Sequence, residues 1–190
     1  QLVRSTETLD ATAHQLYDRL LNIEPHSQQL VPALATHWRQ SADGLKYQFT
    51  LREQVSFHDT PWFVPSRYLT AKDVAFSFNR ILDPQHPYHQ ISGGQYPFFN
   101  SINWAKRVKS VRALNERQVE FVLRQPDADF LTNLTTEYAV ILSSEYAEQL
   151  LAADTPQLLD QQPVGTGPFK LEFYRPDEFI RYQAHSRYWR

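Results

Sequence analysis

The chain has 190 residues, 42% of them hydrophobic, which is enough apolar material for one full core or for one domain and a piece of another. Lys and Arg number 19 against 21 Asp and Glu, and the formal net charge of -2 argues against nucleic acid or an anionic membrane surface as the main partner. The absence of cysteine excludes a disulfide framework, a Cys-ligated zinc site and a thiol nucleophile, and the absence of methionine means that the chain does not open at its own start codon, so an upstream stretch is expected to have been removed or left out.

Leu9, Ala13, Leu16 and Leu20 recur at helical spacing, predicting a helix from about 9 to 21 with Thr8 or Asp10 as its cap. Pro25 punctuates, and Leu30-Val31-Pro32 resumes an extended path. Segments 36–40 and 45–51 flank Ser41-Ala42-Asp43-Gly44, a hairpin signal in which Asp-Gly supplies the positive-φ position. In its second arm Leu45, Tyr47, Phe49 and Leu51 alternate with polar residues, so one face is buried and the other wet. Segment 56–69, with Pro61 and Pro65, reads as a loop. Thr70, with Asp73 three positions later, opens a helix carrying Val74, Phe78, Ile81 and Leu82 on one stripe, and Asp83-Pro84 stops it.

A long loop to about Asn100 follows, with Gly93-Gly94 and with Tyr88, Tyr96, Phe98 and Phe99 (Trp104 lies just beyond) to pin it. Segments 108–114 and 118–124 form a second hairpin around Asn115-Glu116-Arg117, with Val119, Phe121 and Leu123 on its buried face. Pro126-Asp127 introduces a short helix with Phe130, Leu131 and Leu134 inward. A short strand is expected over 138–142, then a helix capped at Ser143-Ser144 with Ala147, Leu150 and Leu151 inward. The glycine-bearing turn Pro163–Pro168 leads into a third hairpin, 169–174 and 179–183, turned at Pro176-Asp177. Hairpins mixed with short helices, without regular βαβ alternation, predict an α+β fold. No stretch approaches the ~20 apolar residues that span a bilayer.

Candidate chemistry is sparse. Pro163-Val164-Gly165-Thr166-Gly167-Pro168 is the one glycine-rich motif, but a phosphate loop needs a Lys-Ser/Thr pair at its end and a dinucleotide loop a third glycine at a helix start. A strand follows instead, so the motif reads as a structural turn or hinge. His58-Asp59 has the residue types of an acid–base pair, yet neighbours on an extended chain point to opposite sides, and a loop histidine is the simpler reading. His86 and His89 have a chelating spacing without the further ligands that a structural metal wants. Lys106, Arg107, Lys109 and Arg112 read as the solvated face of a strand. The glycosylation acceptor Asn133-Leu134-Thr135 is discounted because Leu134 belongs to the core stripe.

Several runs carry a resemblance. The segment from Asp43-Gly44-Leu45-Lys46-Tyr47 to Ser56-Phe57-His58-Asp59 resembles the family 5 extracellular solute-binding proteins, the dipeptide, oligopeptide and nickel receptors. So do Leu69-Thr70-Ala71-Lys72-Asp73-Val74, the turn Pro163–Phe169, the pair Tyr188-Trp189 and Leu30-Val31-Pro32-Ala33-Leu34-Ala35 ahead of Trp38. Within the family, Thr60-Pro61-Trp62-Phe63-Val64-Pro65-Ser66-Arg67 and Asp83-Pro84-Gln85-His86-Pro87-Tyr88-His89 are most similar to the Sap-type receptors. Thr60 stands where a typical member has glycine, which also favours that branch.

The resemblance implies a fragment of a periplasmic binding protein-like class II (cluster C) fold. Residues 1–12 would end the first segment of domain I, 13–162 would be the domain II scaffold, and 163–190 would return into domain I. A strand would precede Gln1, and the second lobe, domain III, would follow Arg190, so that about half of a receptor is absent. It implies a periplasmic, non-enzymatic, substrate-binding component of a peptide ABC importer, of the Sap type linked to antimicrobial-peptide uptake and resistance. Its partners would be a peptide ligand and an inner-membrane ABC permease, without nucleic acid and without a cofactor. Gly165, Thr166, Gly167, Pro168 and Phe169 are carried over as a turn beside the ligand cleft, with no catalytic or metal residue. The alternatives are another cargo (haem, a metal complex or an oligosaccharide) or, at a distance, a small hydrolase using His58, Asp59, His86 and His89.

Overall fold

A computed structural model describes residues 13–91, 93–175 and 179–190. At its centre is an antiparallel four-stranded sheet made by the two predicted hairpins. Strands β3 (Ala35–Gln40) and β4 (Lys46–Leu51) form the first, and β5 (Val108–Ala113) and β6 (Gln118–Leu123) the second, in the order β3-β4-β6-β5. The two-residue period explains the register. Tyr47 pairs with Phe121, Phe49 with Val119 and Val111 with Phe121, which stacks the apolar positions of three strands on one face. On the other face Gln48, Glu120 and Arg112 line up, and Glu120 accepts from Gln48 Nε2 at 3.1 Å and from Arg112 at 2.7 Å.

Helix α1 (Ala71–Leu82) lies across the apolar face. Its capping box forms as Thr70 and Asp73 predict, and Phe78 meets Phe121 edge-to-face at 5.1 Å. The long loop contains two short helices, α2 (Pro97–Ser101) and α3 (Trp104–Arg107), that periodicity does not signal. Its aromatic residues pin it. Trp104 stacks on Phe78 at 5.6 Å, and the Tyr88 hydroxyl donates to the Ala147 carbonyl at 2.6 Å. Helix α4 (Phe130–Asn133) brings Phe130 against Tyr47, and α5 (Ser144–Ala152) begins at the Ser143 cap. Asp73 ties α1 to α5. Its carboxylate is fully buried and takes a fork from Arg67 (2.7 and 2.9 Å), the Thr70 amide (2.8 Å) and both the amide and hydroxyl of Ser144 (2.9 and 2.8 Å).

Three expectations are corrected. Within the described residues, the helix predicted over 9–21 is a single turn at 13–16, followed by an extended path and β1 (Leu21–Ile23), which pairs with β2 (Leu30–Pro32). The carbonyls of Leu16, Asp18, Arg19 and Leu20 accept instead from Gly167, Ile141, Leu34 and Ala33, so tertiary hydrogen bonds override the helical spacing. Leu9 and the caps at Thr8 and Asp10 lie outside the described residues. The strand over 138–142 shrinks to a single bridge between Val140 and Arg19, beside which the Ile141 amide donates to the Asp18 carbonyl. Leu151 stands 44% exposed; α5 buries Tyr146, Ala147 and Leu150 and turns Leu151 to solvent.

The third hairpin, β7 (Phe169–Arg175) and β8 (Phe179–Ala184), forms a two-stranded arm. The turn expected at Pro176-Asp177 lies outside the described residues. The register puts Phe169, Leu171, Tyr174, Ile180 and Tyr182 on one side of the arm. Leu171 and Tyr182 pack against the core, whereas Phe169, Phe173, Tyr174 and Phe179 are exposed.

Candidate functional site

The glycine turn occupies the root of this arm, and its sequence is dictated by crowding. A Cβ on Gly165 would stand 1.9 Å from the Leu16 carbonyl oxygen, and one on Gly167 would stand 2.5 Å from the Gln15 carbonyl oxygen. The turn therefore lies directly on the backbone of residues 15–17, where only glycine fits. The amides and carbonyls of both glycines and the Thr166 hydroxyl are engaged. The Gly167 amide donates to the Leu16 carbonyl at 3.0 Å, and the Thr166 hydroxyl, fully buried, donates to Asp18 Oδ2 at 3.0 Å.

His58 closes the other side. Its backbone amide donates to the Gly165 carbonyl at 2.8 Å, and its ring bridges the turn. The Gly165 amide donates to Nδ1 at 3.2 Å, which leaves the proton on Nε2 to donate to the Gly167 carbonyl at 3.0 Å. The ring is thus neutral with a fixed tautomer. Burial depresses its pKa to about 4, and the neighbouring His185 pushes the same way. His185 stands edge-on to His58 at 5.0 Å. Its ring donates to the Ser56 carbonyl at 3.2 Å, and its amide donates to the Pro168 carbonyl at 2.8 Å, tying the segment after β8 to the residue before β7.

Asp18 completes the junction. Besides Thr166 it accepts from the Trp189 indole at 2.8 Å and, more weakly, from the Tyr188 hydroxyl at 3.4 Å. Burial raises its carboxyl above the usual range, with the three hydrogen bonds opposing. The Trp189 ring in turn carries the guanidinium groups of Arg52 (4.4 Å) and Arg190 (4.8 Å) over it.

The five predicted turn residues therefore divide. Gly165, Thr166 and Gly167 are buried in the junction, Pro168 is half-buried, and Phe169 emerges at 38% exposure on the arm. Of the acid–base candidates, His58 belongs to the junction and Asp59 faces solvent, its carbonyl accepting from Lys170 at 2.6 Å. His86 and His89 lie in the aromatic loop, where His86 Nδ1 accepts the Tyr88 amide and His89 Nδ1 donates to the Arg80 carbonyl. Among the described residues no three His, Cys, Asp or Glu side chains are grouped to hold a metal. Arg107 and Arg112 of the basic run pair with Asp127 and Glu120, and Leu134 of the glycosylation acceptor is buried. Sequence reasoning missed Asp18 and His185. The one hint was Asp18 itself, an acid on a run otherwise rich in core residues.

The family model for bacterial extracellular solute-binding proteins, family 5 (middle), matches residues 29–190. The chain is 52% identical over 96% of its length to the peptide transport periplasmic protein SapA of Salmonella typhimurium, covering 33% of that protein. It is 42% identical over its whole length to heme-binding protein A of Haemophilus influenzae, covering 35% of it. Among solved structures, the dipeptide binding protein of Pseudoalteromonas sp. SM9913 in complex with Met-Leu superposes over the whole chain with a TM-score of 0.96 at 40% identity, covering 37% of that chain. The chain thus spans about a third of the length of these relatives, less than the half implied by the motifs.

Proposed function

Because this chain belongs to the family 5 bacterial extracellular solute-binding proteins, we propose that it is part of the substrate-binding component of a peptide ABC importer, of the Sap type, acting in the periplasm. The observation that carries this reading is the 52% identity to the Salmonella protein over 96% of the chain. The task is capture and delivery, which needs no covalent step, and the one buried histidine beside an acid has both ring nitrogens committed to the glycine turn. The chain therefore works as a binding module rather than an enzyme. Its partners are a peptide, held through main-chain hydrogen bonds with roomy side-chain pockets, and an inner-membrane permease that meets the closed form.

In this reading residues 13–162 are the scaffold domain, built on the four-stranded sheet, and residues 163–190 return into a domain that the rest of the full-length receptor completes. The arm supports this division. A two-stranded hairpin is marginal by itself, and the exposed Phe169 and Tyr174 on its apolar side suit a sheet that continues into further chain. Gly165 to Phe169 then lie beside the ligand cleft, with Pro168 and Phe169 as the members that reach it.

Purification of the full-length receptor without denaturation, followed by native mass spectrometry and calorimetric titration with di- to oligopeptides, tests the reading. Retained or titrated peptide is the expected result. A receptor that retains haem and gives no heat with peptides would overturn it in favour of the cargo named in the Haemophilus relative.

A further inference from the structure

Both roots of the β7–β8 arm converge on one carboxylate. Thr166 lies just before β7, and Tyr188 and Trp189 lie just after β8; all three donate to Asp18, which sits on the scaffold 148 and 171 residues away from Thr166 and Trp189. Apolar packing at the arm's root, through Leu171 and Tyr182, resists separation but not rotation, since dispersion has little directionality. Hydrogen bonds to a single buried carboxylate are directional, and two roots fixed to one point cannot swing independently. The guanidinium groups of Arg52 and Arg190 both lie over the indole, and Arg52 Nε also donates to the Ala33 carbonyl at 3.3 Å, so the donor itself is pinned to the scaffold.

We propose that Asp18 is a positioning residue that sets the angle at which the β7–β8 arm leaves the scaffold, and through that angle the geometry in which the receptor closes on peptide. The second half rests on the peptide-receptor reading above; the first half does not. Neither Asp18 nor its three donors need touch the ligand. The carboxylate acts through Thr166 on the glycine turn and through Trp189 on the segment that follows the arm.

The test uses the full-length receptor. These 190 residues have no cysteine, and with any cysteine elsewhere in the receptor replaced by serine, spin labels placed through Lys109→Cys on β5 and Glu172→Cys on β7, both exposed, report the scaffold-to-arm distance by pulsed electron resonance. Asp18→Asn, which turns an amide toward one of the donors, is expected to broaden or shift that distance distribution. It is also expected to weaken peptide binding at least tenfold, equivalent to about 1.4 kcal/mol, while Thr166→Ser, which keeps the hydroxyl, preserves both readouts. Should Asp18→Asn not fold, Trp189→Phe, which deletes one donor from a partly buried ring, is measured in its place. An unchanged distance distribution in the folded variant overturns the positioning role. A displaced arm with unaltered affinity overturns its link to closure. A wild-type receptor that binds no peptide overturns the functional reading, and the distance measurement still decides the role of Asp18.

Discussion

The buried neutral state of His58 makes the protein acid-sensitive in a defined window. In an unfolded chain the ring takes up a proton near pH 6.5, whereas in the folded protein burial holds its pKa at about 4. A depressed histidine pKa means that the unfolded state binds the proton first. The contribution is therefore intact above pH 6.5, falls as pH drops below it, and is fully lost below about 4. The difference between 6.5 unfolded and about 4 folded corresponds to about 3 kcal/mol in the acid limit and to about 2 kcal/mol at pH 5. Geometry gives the same sign. Protonation of Nδ1 would set an N–H against the Gly165 amide now donating to it at 3.2 Å. Asp18 works in the opposite direction, because its raised pKa adds stability as pH falls through it. The comparison is therefore made between wild type and His58→Gln. Glutamine keeps a donor for the Gly167 carbonyl but leaves the Gly165 amide unpaired, at a cost of about 1–3 kcal/mol near pH 7. Urea unfolding followed by tryptophan fluorescence should show the variant less stable at pH 7, with the gap closing by about 2 kcal/mol at pH 5. Parallel pH profiles for the two proteins would refute the assignment of a buried, neutral, hydrogen-bonded His58.

Two further contrasts follow from the packing. Gly165→Ala drives a methyl to within 1.9 Å of the Leu16 carbonyl oxygen, so the variant is expected to yield no folded protein by circular dichroism, whereas Gly93→Ala, with open space around it, is expected to cost only the strain of its positive φ, about 1 kcal/mol. Asp73→Ala strands the Arg67 fork and the Ser144 amide and should cost about 3–5 kcal/mol in chemical denaturation. Arg112→Ala, whose side chain is 63% exposed, should cost less than about 1 kcal/mol in the same assay.

Local rules made much of the fold legible. Strand alternation and Asp43-Gly44 placed β3 and β4, and the capping pair Thr70 and Asp73 placed α1, because in each case the deciding interactions lie within a few residues. The same rules failed at Leu16 and Leu20, whose helical spacing reflects burial on more than one side rather than one face of a helix; their carbonyls are taken by Gly167 and Ala33. The site was legible only in part for the same reason. The turn stands out by composition, but its partners Asp18, His58 and His185 are brought to it by the tertiary fold, and no local pattern marks a residue whose partner is 107 or 148 positions away. In the sequence His58 is a loop histidine; in the structure both of its ring nitrogens bridge the turn.

The glycines explain why a glycine-rich run here does not bind phosphate. In an anion-binding loop the backbone amides are left free to face the ligand. In this turn the Gly165 amide is given to His58 and the Gly167 amide to Leu16, and neither glycine is among the positive-φ residues that shape such a concavity. Gly44 is glycine for its φ of +70°, with a Cβ position 3.4 Å from its nearest neighbours, whereas Gly165 and Gly167 are glycine for lack of room. Both glycine amides and the Thr166 hydroxyl are thus given to the protein itself rather than to a ligand. Any part the turn plays in capture must come from holding Pro168, Phe169 and the arm in place, which is the work its contacts with Asp18 and His58 perform.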